Sequence, residues 1–373
     1  MRSPIGIAVI IYVSLSISAH EIPHHLREEC NDDDRMMHPI LCAAMDRIRD
    51  DPLSISNELY AWANEHNRLV DVRHSVKYPP VRATIQRHRL GEANAVPVVF
   101  AHGMGDSCFN SGMQRITARV STQLNGVYST CIATGSTHTE DTNNGYFLNM
   151  DASVVNFAKA VQQDPKLANG FHAIGFSQGN NVIRGYIAKF NDPPVKVFLS
   201  INGVNAGEGA VPYCRPSHLG GGICDLLMEQ ASRAAYTDYA QMHSFQANYW
   251  RDPRESEFPV YQKYAQLSNW NNEGFVVNQT FKENFSKTNK FVWIMARDDG
   301  MVWPKEGELW GAPDPKNPFE HILPREETEW YRNDLFGLKT AEEAGKNYYE
   351  SFQGDHLQFS MEDFDGWVAK YLD

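Results

Sequence analysis

After the N-terminal segment the chain has no further long apolar run, so nothing in it reads as a membrane span, which needs about 20 apolar residues. Positive charge is also in deficit. Lys and Arg number 34 against 46 Asp and Glu, a formal charge of −12. That balance argues against nucleic acid or an anionic membrane surface as the main partner. A phosphate-binding loop, a dinucleotide fingerprint and metal-ligand spacings are all missing, so neither a metal nor another cofactor is expected. Internal repeats and low-complexity tracts are missing too, which excludes solenoid and fibrous architectures.

What is present begins with a targeting signal. Arg2 precedes the apolar run from Ile5 to Val13, and small residues continue to Ser18 and Ala19. A charged start, a short apolar stretch and a small-residue end describe a secretory signal peptide over residues 1–19, too short for a comfortable membrane anchor. The six cysteines, Cys30, Cys42, Cys108, Cys131, Cys214 and Cys224, suit an oxidising compartment. Proximity favours Cys30–Cys42 and Cys214–Cys224 as local loops and leaves Cys108–Cys131, although other pairings stay open on paper. The sequons at Asn278 and Asn284 are expected glycosylation acceptors in the same pathway.

Residues 20–90 are polar, with one amphipathic helix expected over 55–70, where Ile55, Leu59, Trp62, His66 and Leu69 share a face. They fit a pro-segment, a docking piece or a partly disordered extension, and the sequence does not choose among these. From Val96 onward, apolar strand-like runs alternate with helical patterns. Val96–Ala101, 128–133, 171–175, 195–201, 290–296 and 347–352 read as strands. Helices are expected at 152–163, after Ser177, and at the C-terminus, where Phe364, Trp367, Val368, Tyr371 and Leu372 share a face. This alternation predicts an α/β domain over 91–373 with a mostly parallel sheet and helices on both faces. Residues 202–289 interrupt it with an aromatic-rich insertion that includes Tyr213, Tyr236, Tyr239, Phe245, Tyr249, Trp250 and Trp270.

Chemistry concentrates at three places. Gly175-Phe176-Ser177-Gln178-Gly179 fits G-x-S-x-G between an expected strand and an expected helix, the setting of a nucleophile elbow. A serine hydroxyl needs a base to remove its proton, and the base needs an acid to orient it. In this architecture the chain order is serine, acid, histidine. Asp299 follows the strand at 290–296, with Asp298 as competitor, and His356 follows the last strand. Asp355 is adjacent to His356 in sequence, a poor position from which to orient it. Early in the chain, His102-Gly103-Met104-Gly105-Asp106 follows the first strand directly. Oxyanion donors are therefore expected from the backbone N–H groups of Met104 and Gln178. His102 reads as a structural histidine of that loop.

From about Val96 to the C-terminus the chain resembles the palmitoyl-protein thioesterases, a lysosomal α/β-hydrolase family. The motifs that carry this are 102–108, Asp164-Pro165-Lys166-Leu167 with 174–179, Tyr249-Trp250-Arg251-Asp252-Pro253 and Gly354-Asp355-His356-Leu357-Gln358. The resemblance implies Ser177 as nucleophile, Asp299 as acid, His356 as base, and Met104 and Gln178 as oxyanion donors. It further implies hydrolysis of long-chain acyl thioesters on S-acylated proteins or peptides, an acyl groove in the insertion, a Cys214–Cys224 disulfide and a lysosomal destination, with export the alternative. Two positions depart from the family pattern: Asn180 stands where glycine is usual, and Phe109 where a second cysteine is common. A carboxyl or lipid esterase with the same triad and a non-catalytic acyl-binding protein are the rival readings.

Overall fold

The computed structural model describes residues 95–214 and 223–372, with side chains from 227 onward in the second stretch. The expected signal peptide, the helix over 55–70 and the Cys30–Cys42 pair lie outside the described residues.

Alternation along the strands creates two cores. In β1 (Val98–Ala101), Val99 and Ala101 join one buried cluster, and Val98 and Phe100 join the other. The same division holds in β3 (Phe171–Phe176), where Phe171 and Ala173 face one way and Ile174 and Phe176 the other. With β2 (Ser129–Cys131), β4 (Val195–Ile201), β5 (Lys290–Ala296) and β8 (Asn347–Phe352) these strands form a six-stranded sheet in the order β2-β1-β3-β4-β5-β8. Every pairing in it is parallel. Between them, β6 (Ala312–Pro313) and β7 (Ile322–Leu323) form a separate antiparallel pair.

Helices cover both faces. On one side α3 (Met150–Gln163) buries Val154, Phe157, Ala158 and Val161 beside α4 (Gly179–Lys189). On the other, α1 (Ser111–Gln123) packs with α13 (Met361–Tyr371), which buries Phe364, Trp367, Val368 and Tyr371. Ser360 starts α13 by accepting from the Asp363 amide while Asp363 reaches back to the Ser360 amide, a capping box. Fully burying one such large side chain contributes about 1.5–3 kcal/mol, offset by lost conformational freedom. A parallel sheet in this order, covered by helices on both faces, is the α/β-hydrolase fold.

The stretch between β4 and β5 is helical and has a core of its own. It contains α5 (Ile223–Ala235), α6 (Asp238–His243), α7 (Phe245–Tyr249), α8 (Phe258–Tyr264), α9 (Gln266–Trp270) and α10 (Gln279–Ser286). Tyr236, Ala247, Trp250, Tyr261 and Ala265 pack together there, apart from the two sheet faces.

One feature of the sheet order positions the site. The chain steps from β1 outward to β2, then crosses back to β3 on the other side of β1. The loops leaving the carboxyl ends of β1 and β3 thus diverge to either side of a crevice, where open α/β sheets place their ligands.

Candidate active site

Ser177 follows β3 directly with a left-handed φ of +49°. That region is costly for a residue with a Cβ, and the turn is held by its neighbours: the Ser177 N–H donates to Ile201 O at 2.9 Å. The flanking glycines are required for close approach. A Cβ on Gly179 would run into the carbonyls of Ala101 and His102, and one on Gly175 into the Asn180 side chain. Asn180, the departure from the family pattern, uses that space. Its Nδ2 donates to Ser177 O at 2.9 Å and to Ile201 O at 2.8 Å, tying the elbow to the end of β4.

Three residues remote in sequence meet here. His356 Nε2 lies 2.8 Å from Ser177 Oγ, and His356 Nδ1 lies 2.6 Å from Asp299 Oδ2. Asp299 Oδ1 accepts from the Met301 and Val302 amides, each at 2.8 Å. Burial opposes ionisation of Asp299, but the His356 charge and hydrogen bond, together with the other donors on the carboxylate, hold its pKa below the usual carboxylate range. The neighbouring acids face elsewhere. Asp298 accepts from Gln353, and Asp355 Oδ1 accepts from Gly300 N at 2.8 Å and His356 N at 2.7 Å, bracing the loops that carry the acid and the histidine.

The Met104 and Gln178 N–H groups have no acceptor among the described residues. Gln178 is the N-cap of α4, so its amide also sits at the positive end of that helix. The Gln178 side chain is fully engaged. Its Nε2 donates to Gly145 O at 2.7 Å, and its Oε1 accepts from Gln246 Nε2 at 2.7 Å. Gln246 belongs to the insertion, so the elbow and the insertion are bonded to each other.

The loop after β1 is anchored by Asp141 of α2 (His138–Phe147). The buried Asp141 carboxylate accepts from Ser107 Oγ at 2.8 Å, Cys108 N at 2.9 Å and Thr134 N at 2.6 Å. His102 Nε2 stands 3.2 Å from Asp141 Oδ1, off the line of a good hydrogen bond, and His102 Nδ1 lies 2.9 Å from Gly103 O. Both ring nitrogens therefore face acceptors, an arrangement suited to the protonated ring. Burial lowers the His102 pKa, yet Asp141 and the Gly103 carbonyl outweigh it and the net shift is upward. Asp141 is likewise buried but is pushed well below the carboxylate range by His102, Ser107 and Cys108.

The signs of these two shifts define a pH window. The Asp141 contribution is present above the ordinary carboxylate value and is lost as pH falls through its lowered folded value. The His102 contribution is complete below the ordinary histidine value and is lost as pH rises through its raised folded value. Together they stabilise fully between about pH 4 and 6.5. His102→Gln is expected to lower stability by about 1.5–3 kcal/mol in that window and by progressively less at alkaline pH. Thermal melts of both proteins from pH 4 to 9 check this, and a pH-independent gap would rule out a charged His102.

Among the described residues, two clusters have donor atoms close enough for a cation: His102 with Cys108 and Asp141, and Asp299 with Glu308 and His356. In the first, the Cys108 sulfur is committed to a disulfide with Cys131, whose Cα atoms lie 5.5 Å apart. In the second, the imidazole and carboxylate are committed to each other and to Ser177. Both are hydrogen-bond networks by their donor chemistry.

Of the remaining expected site residues, Cys214 is disulfide-bonded, while the Cys224 side chain lies outside the described residues. Asn278 is exposed and caps α10. The expectation of a glycosylation acceptor at Asn284 is corrected. Asn284 is only 4% exposed, and its Nδ2, the atom a glycan would occupy, donates to Ala188 O at 2.9 Å. Four residues of the site carry no sequence signal: Asp141, Asn202, Gln246 and Glu308 all act through partners distant along the chain.

Comparison with known proteins gives the family of the chain. The family described as palmitoyl protein thioesterase matches residues 97–356. Palmitoyl-protein thioesterase 1 of Caenorhabditis elegans is 34% identical over 268 residues, spanning 70% of this chain and 87% of its own. Palmitoyl-protein thioesterase 3 of Dictyostelium discoideum is 28% identical over 272 residues, spanning 72% and 87%. Human lysosomal thioesterase PPT2 is 29% identical over 180 residues, spanning 47% and 55%. The chain belongs to the palmitoyl protein thioesterase family.

Proposed function

We propose that this protein hydrolyses long-chain fatty acyl thioesters, of the palmitoyl-cysteine kind, on proteins or peptides. Ser177 is the nucleophile, His356 the base, Asp299 its orienting acid, and Met104 and Gln178 the oxyanion donors. The observation that carries this reading is the unbroken relay from Ser177 Oγ through both nitrogens of His356 to Asp299, in a chain of this family. His356 Nε2 takes the Ser177 proton as Oγ bonds to the thioester carbonyl carbon. The carbonyl electron pair moves onto oxygen, where the two N–H groups stabilise it. The tetrahedral intermediate collapses, the C–S bond breaks, and the thiolate leaves and takes up the proton held by His356. Water then attacks the acyl-serine with His356 again as base, releasing the fatty acid and restoring Ser177. Asp299 keeps the Nδ1–H tautomer throughout.

The insertion is the proposed wall of the acyl groove. Supporting this, Gln246 and Tyr249 reach the Gln178 side chain, and the Tyr213 N–H donates to Gly300 O at 2.6 Å beside the acid. A lysosomal or wider secretory destination is supported by the relatives' names. Among the described residues no helix is long and apolar enough to cross a membrane.

The test compares a palmitoyl-cysteine peptide with the matched serine oxygen ester, alongside fluorophosphonate labelling of Ser177. The thioester is expected to be cleaved at least about tenfold faster as kcat/KM, because a thiolate is the better leaving group. Equal or reversed rates would favour a carboxyl or lipid esterase. No cleavage and no labelling would favour an acyl-binding protein.

A further inference from the structure

A fully buried carboxyl group, Glu308, lies behind the proposed triad and takes no part in the chemistry described so far. It sits in the single helical turn Lys305–Leu309 that packs against β5. Its Oε2 accepts from Asn202 Nδ2 at 2.8 Å and from Ala296 N at 3.2 Å. Its Oε1 is buried without a donor to accept from. Atoms of Glu308, Asp299 and His356 all lie within 4.8 Å of one another.

Two carboxylates at this range, both out of water, cannot both stay ionised; one must hold a proton. The donor count decides which. Asp299 receives two backbone amides and the imidazole, and a carboxylate offers about four acceptor sites, so one remains. The orphaned Glu308 oxygen is the group available to fill it.

We propose that Glu308 is held as a neutral carboxylic acid whose O–H donates to the Asp299 carboxylate, making Glu308 the positioning residue of the triad's acid. This rests on the triad reading above. The other charged groups around it agree. Glu208, from the loop after β4, is buried near Asp299 and accepts from Trp303 N at 2.9 Å and Ala210 N at 3.2 Å; burial pushes its own pKa up, and it brings no cation to Glu308. Asp298 and Asp355 turn to Gln353 and to the Gly300 and His356 amides. Arg297 donates to Ser351 and Lys305 to the Arg297 carbonyl, so neither cation pairs with Glu308. Burial and the Asp299 charge both push the Glu308 pKa well above the carboxylate range.

The consequence is a tuned acid. A donor on Asp299 spreads its charge and weakens its hold on the imidazole Nδ1–H. Asn202 extends the network, since its Oδ1 accepts from Leu357 N at 3.1 Å beside the base. Glu308 thus touches the end of β5, which leads to Asp299, and reaches the loop bearing His356 through Asn202.

Glu308→Gln and Glu308→Leu separate charge, donor and bulk. The glutamine keeps a donor toward Asp299 and an acceptor toward Asn202. It is expected to retain kcat within about fivefold of wild type, with the acid limb of kcat/KM on the palmitoyl-cysteine peptide superimposed. The leucine removes the donor and is expected to lower kcat at least tenfold and move the acid limb to higher pH. A glutamine profile shifted to lower pH would show that Glu308 carries a charge and overturn the proposal, as would a leucine variant with unaltered kcat and profile. If the leucine variant does not fold, the glutamine profile alone decides. Fluorophosphonate labelling of wild-type Ser177 is read in parallel, so failure of the triad reading is distinguishable from failure of the Glu308 assignment.

Discussion

Ser177→Ala is expected to lower kcat on a palmitoyl-cysteine peptide by roughly 10⁴–10⁶-fold, the range seen when a serine nucleophile is removed. The fold should survive. Alanine keeps the backbone bond from residue 177 to Ile201 and the packing of the flanking glycines, and loses only the hydroxyl contact to His356. Steady-state turnover and a thermal melt, measured on the same preparation, check both halves. A kcat within tenfold of wild type would remove Ser177 from the mechanism. A large loss of melting temperature would instead mean that the elbow depends on the hydroxyl for its shape.

Asp299→Asn should cost about 10⁴-fold in kcat, while Asp298→Asn should cost less than tenfold. The two residues are neighbours, so this contrast follows from orientation alone. Asp299 Oδ1 is fixed by the Met301 and Val302 amides, which leaves the other atom of the side chain facing His356 Nδ1. In the asparagine variant that atom becomes an NH₂ group. It would donate to Nδ1, force the imidazole proton onto Nε2, and leave the base with no lone pair for Ser177. Asp298 bonds Gln353 on the far side of the turn and has no such hold. Kinetics of both variants over a pH series check the assignment, and a larger loss at Asp298 would transfer the acid role to it.

The framework was legible where local pattern and tertiary role coincide. The strands at 195–201, 290–296 and 347–352 are compact apolar or β-prone runs, and the structure places them with those bounds. The three residues of the proposed triad were legible because each follows a strand in a fixed order. Helix α2 was not, because its only buried residues are Asp141 and Gly145 and it has no apolar stripe to read. It is held by Thr137 at its cap and by the donors converging on Asp141. Glu308 was opaque for a related reason: one of its partners, Asn202, is 106 residues away, and a glutamate between Gly307 and Leu309 looks like any surface acid. Asn284 misled in the opposite direction, since a three-residue sequon contains no information about burial.

The strand order has a temporal side. Ser177 and His356 are 179 residues apart, and the sheet reaches its last edge only with β8. Synthesis proceeds from the N-terminus, so β1, β3, the loop bearing Met104 and the elbow emerge long before the base. Throughout that interval the nascent chain holds a serine with nothing to deprotonate it. The pairing of β8 with β5 is what sets His356 beside Asp299 and Ser177, so the proposed triad is incomplete until the last strand of the sheet is in place.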